Sequence, residues 1–131
     1  MLYLPRSKRL ACMNKEEKKA FLLLKSIIFQ YHGLDDNEQQ LLEKTAGELD
    51  AEEELKWAQN FIAEEYLDAF DRARDYLAKV SIAKEQKIDF LHRVWKSNNE
   101  KGHITEMEAI AILRLAKDWQ VESELISRVR G

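Results

Sequence analysis

Two segments of this chain, seventy residues apart, carry the same local folding instructions. Leu34-Asp35-Asp36-Asn37-Glu38 and Ile104-Thr105-Glu106-Met107-Glu108 each place an aliphatic residue, then a helix-capping residue, then a glutamate three positions on. In such a box the cap side chain accepts a free backbone N–H of the first turn, and the glutamate reaches back to the N–H of the cap. The same offset pairs Phe21 with Leu91, Leu24 with Val94, Leu42 with Ile112 and Ala46 with Ala116. Each half therefore reads as helix, tight turn, aliphatic plug, capping box and helix. Neither hairpin alone buries its apolar stripe; packing both together with the segment between them does. The repeat predicts an all-α fold: a single compact bundle of about six to seven helices, built from two pseudo-repeated helix–turn–helix units around a central helix.

The punctuation of the chain agrees. Four glycines and one proline are too few for the turns of a β protein of this length. Residues 1–13 contain Pro5 and no helical period, and read as a flexible N-terminal tail, with Met13 an alternative start. Residues 14–131 read as the helical domain. Asn14 and Glu17 form a box opening a helix whose inner stripe is Ala20, Phe21, Leu24, Ile27, Ile28 and Tyr31, closed at Gly33. The helix after Asp35 turns Leu41, Leu42, Thr45, Ala46 and Leu49 inward. Asp50 and Glu53 read as a further box. They open a long central segment over residues 51–80, expected to break near Asn60 or Ala63 and to bury Tyr66, Ala69, Phe70, Ala73, Leu77 and Val80. Ser81 is expected to start the next helix, with Ile88, Leu91, Val94 and Trp95 inward and a stop within residues 97–102. The last two helices present Ala109, Ile110, Ile112, Leu113 and Ala116, then Leu125, Ile126 and Val129.

With both turns in view, the chain resembles the TerB-like domain family, first linked to tellurite resistance. The residues that carry the likeness are His32-Gly33-Leu34-Asp35-Asp36-Asn37-Glu38 and Gly102-His103-Ile104-Thr105-Glu106-Met107-Glu108, and the likeness spans residues 15–129. The resemblance implies a compact helical fold and a stress-response setting, and it implies no established reaction. The family's Asp-Gly at the start of each turn is replaced here by Tyr31-His32 and Lys101-Gly102.

Charge and composition narrow the function. A net charge of −3 offers no bulk attraction for nucleic acid or an anionic membrane, and Arg6, Lys8 and Arg9 are too few to reverse that. The most apolar stretch, residues 21–29, is interrupted by Lys25 and Ser26, so no membrane insertion is expected. The basic residues near the start occupy the place of a signal's apolar region. Cys12 is the only cysteine, so no internal disulfide forms, and a cytoplasmic setting is expected. No nucleophile elbow, phosphate-binding glycine loop or zinc spacing is present, so no catalytic residue is assigned. Asp89 and His92 have the acid-x-x-His spacing of a di-iron bundle, but a second helical copy is missing. Trp57, Trp95 and Trp119 read as packing residues.

Two candidate surfaces remain. Glu64, Asp68, Asp71 and Asp75, spaced four, three and four, are expected to form one narrow acidic strip opposite the apolar side of their helix. Local pairs Asp68–Arg72 and Asp75–Lys79 would accompany it. The leading expectation is a non-enzymatic interaction module that docks a protein partner electrostatically, through that acidic strip or through the surfaces of the two turns. The alternative is a divalent-cation site made by the turn carboxylates Asp35, Asp36, Glu38, Glu106 and Glu108, since a hard cation collects several oxygen ligands. Self-association is left open.

Overall fold

The computed structural model describes residues 13–30, 36–100 and 104–131, apart from the side chain of Glu100. Seven α-helices stand among the described residues: α1 Lys15–Phe29, α2 Asp36–Glu48, α3 Glu52–Glu64, α4 Ala69–Lys79, α5 Lys84–Glu100, α6 Glu106–Asp118 and α7 Glu122–Arg130. A 3-10 turn, Tyr66–Asp68, joins α3 to α4. The chain is all-α, as the repeat predicts. The tail before Met13 and the Asp35–Glu38 box lie outside the described residues or across their edge; Met13 itself is buried.

α1 starts at the predicted box. Asn14 Oδ1 accepts the Glu17 N–H at 2.8 Å, and the Asn14 N–H donates to Glu17 Oε1 at 3.0 Å. Every residue from Ala20 to Phe29 is buried, Lys25 and Ser26 included. A helix covered all round must be surrounded, and α1 packs against α2, α3, α4, α5 and α6. α1 is therefore the central element, in place of the segment between the halves. Lys25 reaches its cover by donating from Nζ to Ser97 Oγ at 2.8 Å, and the ammonium lies 6.0 Å and 5.6 Å from the ring centroids of Phe21 and Phe29.

The repeat is built into the backbone. α2 and α6 have the same length and stand seventy residues apart. Thr105 and Glu108 form the box that opens α6, with bonds of 3.0 and 3.2 Å. Both helices end in the same motif. Asp50 has φ 53°, the Ala51 N–H donates to Ala46 O at 2.8 Å and the Asp50 N–H to Gly47 O at 3.2 Å. Seventy residues on, Gln120 has φ 60°, the Val121 N–H donates to Ala116 O at 2.9 Å and the Gln120 N–H to Lys117 O at 3.0 Å. The paired bonds around a left-handed residue satisfy the last free carbonyls of each helix. Ala51 and Val121 then start α3 and α7 without a side-chain cap.

This motif corrects the expected Asp50–Glu53 box: the backbone of Asp50 is committed to closing α2, so the cap position falls to Ala51. It also yields a prediction. A left-handed residue other than glycine costs about 1–2 kcal/mol, and glycine gives back about 0.5–1 kcal/mol in chain entropy. Asp50→Gly and Gln120→Gly are each expected to stabilise the fold by about 0.5–1 kcal/mol, read as a higher midpoint in urea. A lower midpoint would show that the Asp50 or Gln120 side chain contributes more than its strain.

The segment over residues 51–80 departs from the sequence reading. It breaks at Glu65, with φ −143° and ψ 80°, beyond Asn60 and Ala63. The break carries Tyr66 out to 60% exposure, although it fits the apolar stripe of an unbroken helix. Ala69, Ala73, Leu77 and Val80 are buried as expected, and Phe70 packs at the margin. Leu41 and Ile110 are exposed as well. The inner faces of α2 and α6 are held by Leu42 and Ala46 and by Ala111, Ile112, Leu115 and Ala116, which leaves Leu41 and Ile110 outside those arcs.

α5 begins at Lys84, since Gln86 and Lys87 donate to Ala83 O while the Ser81 N–H turns to Glu16 Oε1 at 3.3 Å. Phe90, absent from the expected inner face, is fully buried against Phe21 with ring centroids 5.0 Å apart. Trp57, Phe61 and Tyr76 form an aromatic cluster joining α3 to α4. Trp119 is buried, and its Nε1–H donates to Leu77 O at 2.8 Å. Among the described residues no helix is long and apolar enough to cross a membrane.

Candidate partner-binding face

The four carboxylates of the expected strip are all exposed, but they do not share one helix. Glu64 closes α3, Asp68 lies in the 3-10 turn, and Asp71 and Asp75 stand on α4. The bend at Glu65 breaks the strip into an acidic corner. The local ion pairs differ for the same reason. Arg72 donates to Phe61 O at 2.9 Å, pairs with Glu64 at 3.3 Å and lies over the Phe61 ring, so it pins the end of α3 rather than Asp68. Asp68 and Asp75 make no ion pair among the described residues.

A further carboxylate joins this face from a distant part of the chain. Arg74 holds Asp118 in a bidentate pair, Nε to Oδ2 at 2.8 Å and Nη2 to Oδ1 at 3.0 Å, and lies 3.9 Å from Asp71. Two parallel bonds fix both planes, which ties α4 to the end of α6. The hydrogen bonds that Arg74 donates to Asp118, with the charges of Asp118, Asp71 and Asp75, raise the Arg74 pKa above its ordinary value, and burial opposes them. The guanidinium is a fixed cation within an acidic rim. Asp71, Arg74, Asp75, Ala78 and Asp118 line an open cleft of about 420 Å³. Sequence reasoning missed Asp118, though it had a signal: an aspartate in the last turn of a helix opposes the helix dipole and needs a cation.

At the corner itself stand two apolar side chains with no cover. Leu67 is 95% exposed and Tyr66 60%, and their neighbours in sequence are Glu64, Glu65 and Asp68.

The turn carboxylates separate into two kinds. Asp36 and Glu106 are exposed in the first turns of α2 and α6, where negative charge favours the helix N-terminus. Glu38 and Glu108 are buried, at 3% and 0% exposure. Glu108 Oε1 accepts both the N–H and the hydroxyl of Thr105 at 3.0 Å, so this oxygen serves the cap. Asp35 lies outside the described residues. Among the described residues no group of three His, Cys, Asp or Glu side chains stands close enough to hold a metal ion. Asp89 is engaged by Arg128 at 3.3 Å and by Arg93 at 3.6 Å.

Compared with protein-family models, with curated proteins and with solved structures, this chain matches none. The reading of its function rests on its own geometry.

Proposed function

We propose that this protein is a non-enzymatic, TerB-like interaction module that holds a basic protein partner at the acidic corner between α3 and α4. The observation that carries this reading is the exposure of Leu67 at 95% beside Tyr66, framed by carboxylates. A leucine this exposed contributes almost no burial to the fold, whereas covering it on a partner is worth about 1.5–3 kcal/mol. The surrounding charges supply steering and orientation. Asp68 and Asp75 remain available for a partner's cations because Arg72 and Arg74 are held by Glu64 and Asp118. The TerB-like assignment draws support from the two capped helices, α2 and α6, that recur at one offset with the same end motif.

The test is capture by the immobilised protein from cell lysate, with captured bands identified at low and high salt. Leu67→Asp is expected to reduce capture of a salt-sensitive band about tenfold or more, the equivalent of at least 1.4 kcal/mol. Replacing Asp68, Asp71 and Asp75 by Asn together is expected to weaken capture and flatten its salt dependence. Glu53→Gln, in the first turn of α3 at the end of the helix away from the corner, serves as the control. Equal capture by the parent protein, the Leu67 variant and the triple variant would remove this reading.

A further inference from the structure

α6 presents a second uncovered surface, on the side opposite the core. Met107 is 60% exposed and Ile110 45% exposed, and Leu113, partly buried against the core, borders them. The repeat supplies an internal control. The equivalent positions on α2 are Asn37, Gln40 and Glu43, all polar. The two helices share length and end motif, and both bury their glutamate at the third helical position. Nothing in that shared architecture requires an apolar outer face, so the apolar ridge belongs to α6 alone.

The charges on that face are ordered. Glu106 lies four residues before Ile110 and Arg114 four residues after it, with Lys117 beyond. All three are exposed, and none makes an ion pair among the described residues. Arg72, Arg74, Arg93 and Arg128, by contrast, are each held by a carboxylate.

We propose that the occupant of this face is a second copy of the chain, docked with the two α6 helices antiparallel about a two-fold axis at Ile110. In that arrangement Ile110 meets Ile110 of the other copy, each Met107 comes level with the other copy's Leu113, and each Glu106 comes level with the other copy's Arg114. A closed two-fold contact must be complementary to itself, and this order of charges is. Parallel packing would set Glu106 against Glu106 and Arg114 against Arg114, which repel. The ridge runs along a helix about 20 Å long, a few hundred square ångströms per copy and well below the roughly 800 Å² of a standard interface. The dimer is therefore weak and dissociates on dilution.

Sedimentation equilibrium from low-micromolar to submillimolar concentration tests this. The mass is expected to rise from 15.4 kDa toward twice that value. Ile110→Asp is expected to abolish the rise with an unchanged melting temperature, because Ile110 lies outside the core. Glu106→Arg alone and Arg114→Glu alone are each expected to weaken association at least tenfold. The double variant is expected to restore it, and a mixture of the two single variants to form a dimer that neither forms by itself. A parent protein that stays monomeric throughout would overturn the proposal. So would a dimer that survives Ile110→Asp, or one that the double variant and the mixture both fail to restore.

Discussion

Phe90→Ala is expected to lower the free energy of unfolding by about 3–5 kcal/mol, the range for an aromatic removed from a closed core. Phe90 is fully buried where α5 meets α1, and its ring is tilted 43° to that of Phe21 with centroids 5.0 Å apart. The substitution removes both the buried area and the aromatic pair, the latter worth about 0.5–1.5 kcal/mol. α1 is enclosed on every side, so the space left behind cannot collapse without moving several helices. Domains of this kind have only about 5–15 kcal/mol in total, so the variant should melt far below the parent or fold only in part. Urea unfolding followed by circular dichroism measures it. Phe90→Leu keeps most of the volume and should cost less than half as much. A loss under about 1 kcal/mol for the alanine variant would mean that the α1–α5 contact is not part of the cooperative core.

Trp119 carries the second large effect. It is buried at the end of α6, donates from Nε1 to Leu77 O at 2.8 Å, and lies under the Lys87 ammonium at 5.6 Å. The indole thus fastens the end of α4 to the end of α6. Trp119→Ala is expected to cost about 3–5 kcal/mol. Trp119→Phe keeps an aromatic body and loses the donor, at about 1–2 kcal/mol; the full cost of an unmade buried bond is softened by the Val80 N–H, which already reaches Leu77 O at 3.4 Å. Chemical denaturation of the two variants separates packing from hydrogen bonding. Equal losses in both would show that the bond, and not the ring, holds the two helices together.

What the sequence made legible was local. The boxes at Asn14–Glu17 and Thr105–Glu108 are side-chain-to-backbone bonds spanning three residues, so the pattern and the geometry coincide. The seventy-residue offset was readable because the two halves share their inner positions, including Leu42 with Ile112 and Ala46 with Ala116, all fully buried. Tyr66 failed because a period of 3.6 presumes an unbroken helix, and the break at Glu65 has neither glycine nor proline to announce it. Asp50 failed because aspartate serves equally as a cap and as a left-handed residue, and the tertiary packing of Ala51 decided between them. Within the candidate face, Asp71 and Asp75 were visible on one helix, whereas Asp118 arrives from forty-four residues beyond Arg74, a distance no local pattern crosses. The central place of α1 was legible in one respect: its residues 21–29 are apolar nearly all round, the mark of a helix with neighbours on every side.

That central place has a consequence for biosynthesis. The helix that the other layers wrap is translated ahead of them, and part of its cover comes from α6, about ninety residues later in the chain. While the ribosome adds those residues, the greasy cylinder of α1 has no finished jacket. Cooperative folding must wait until the second half has left the ribosome.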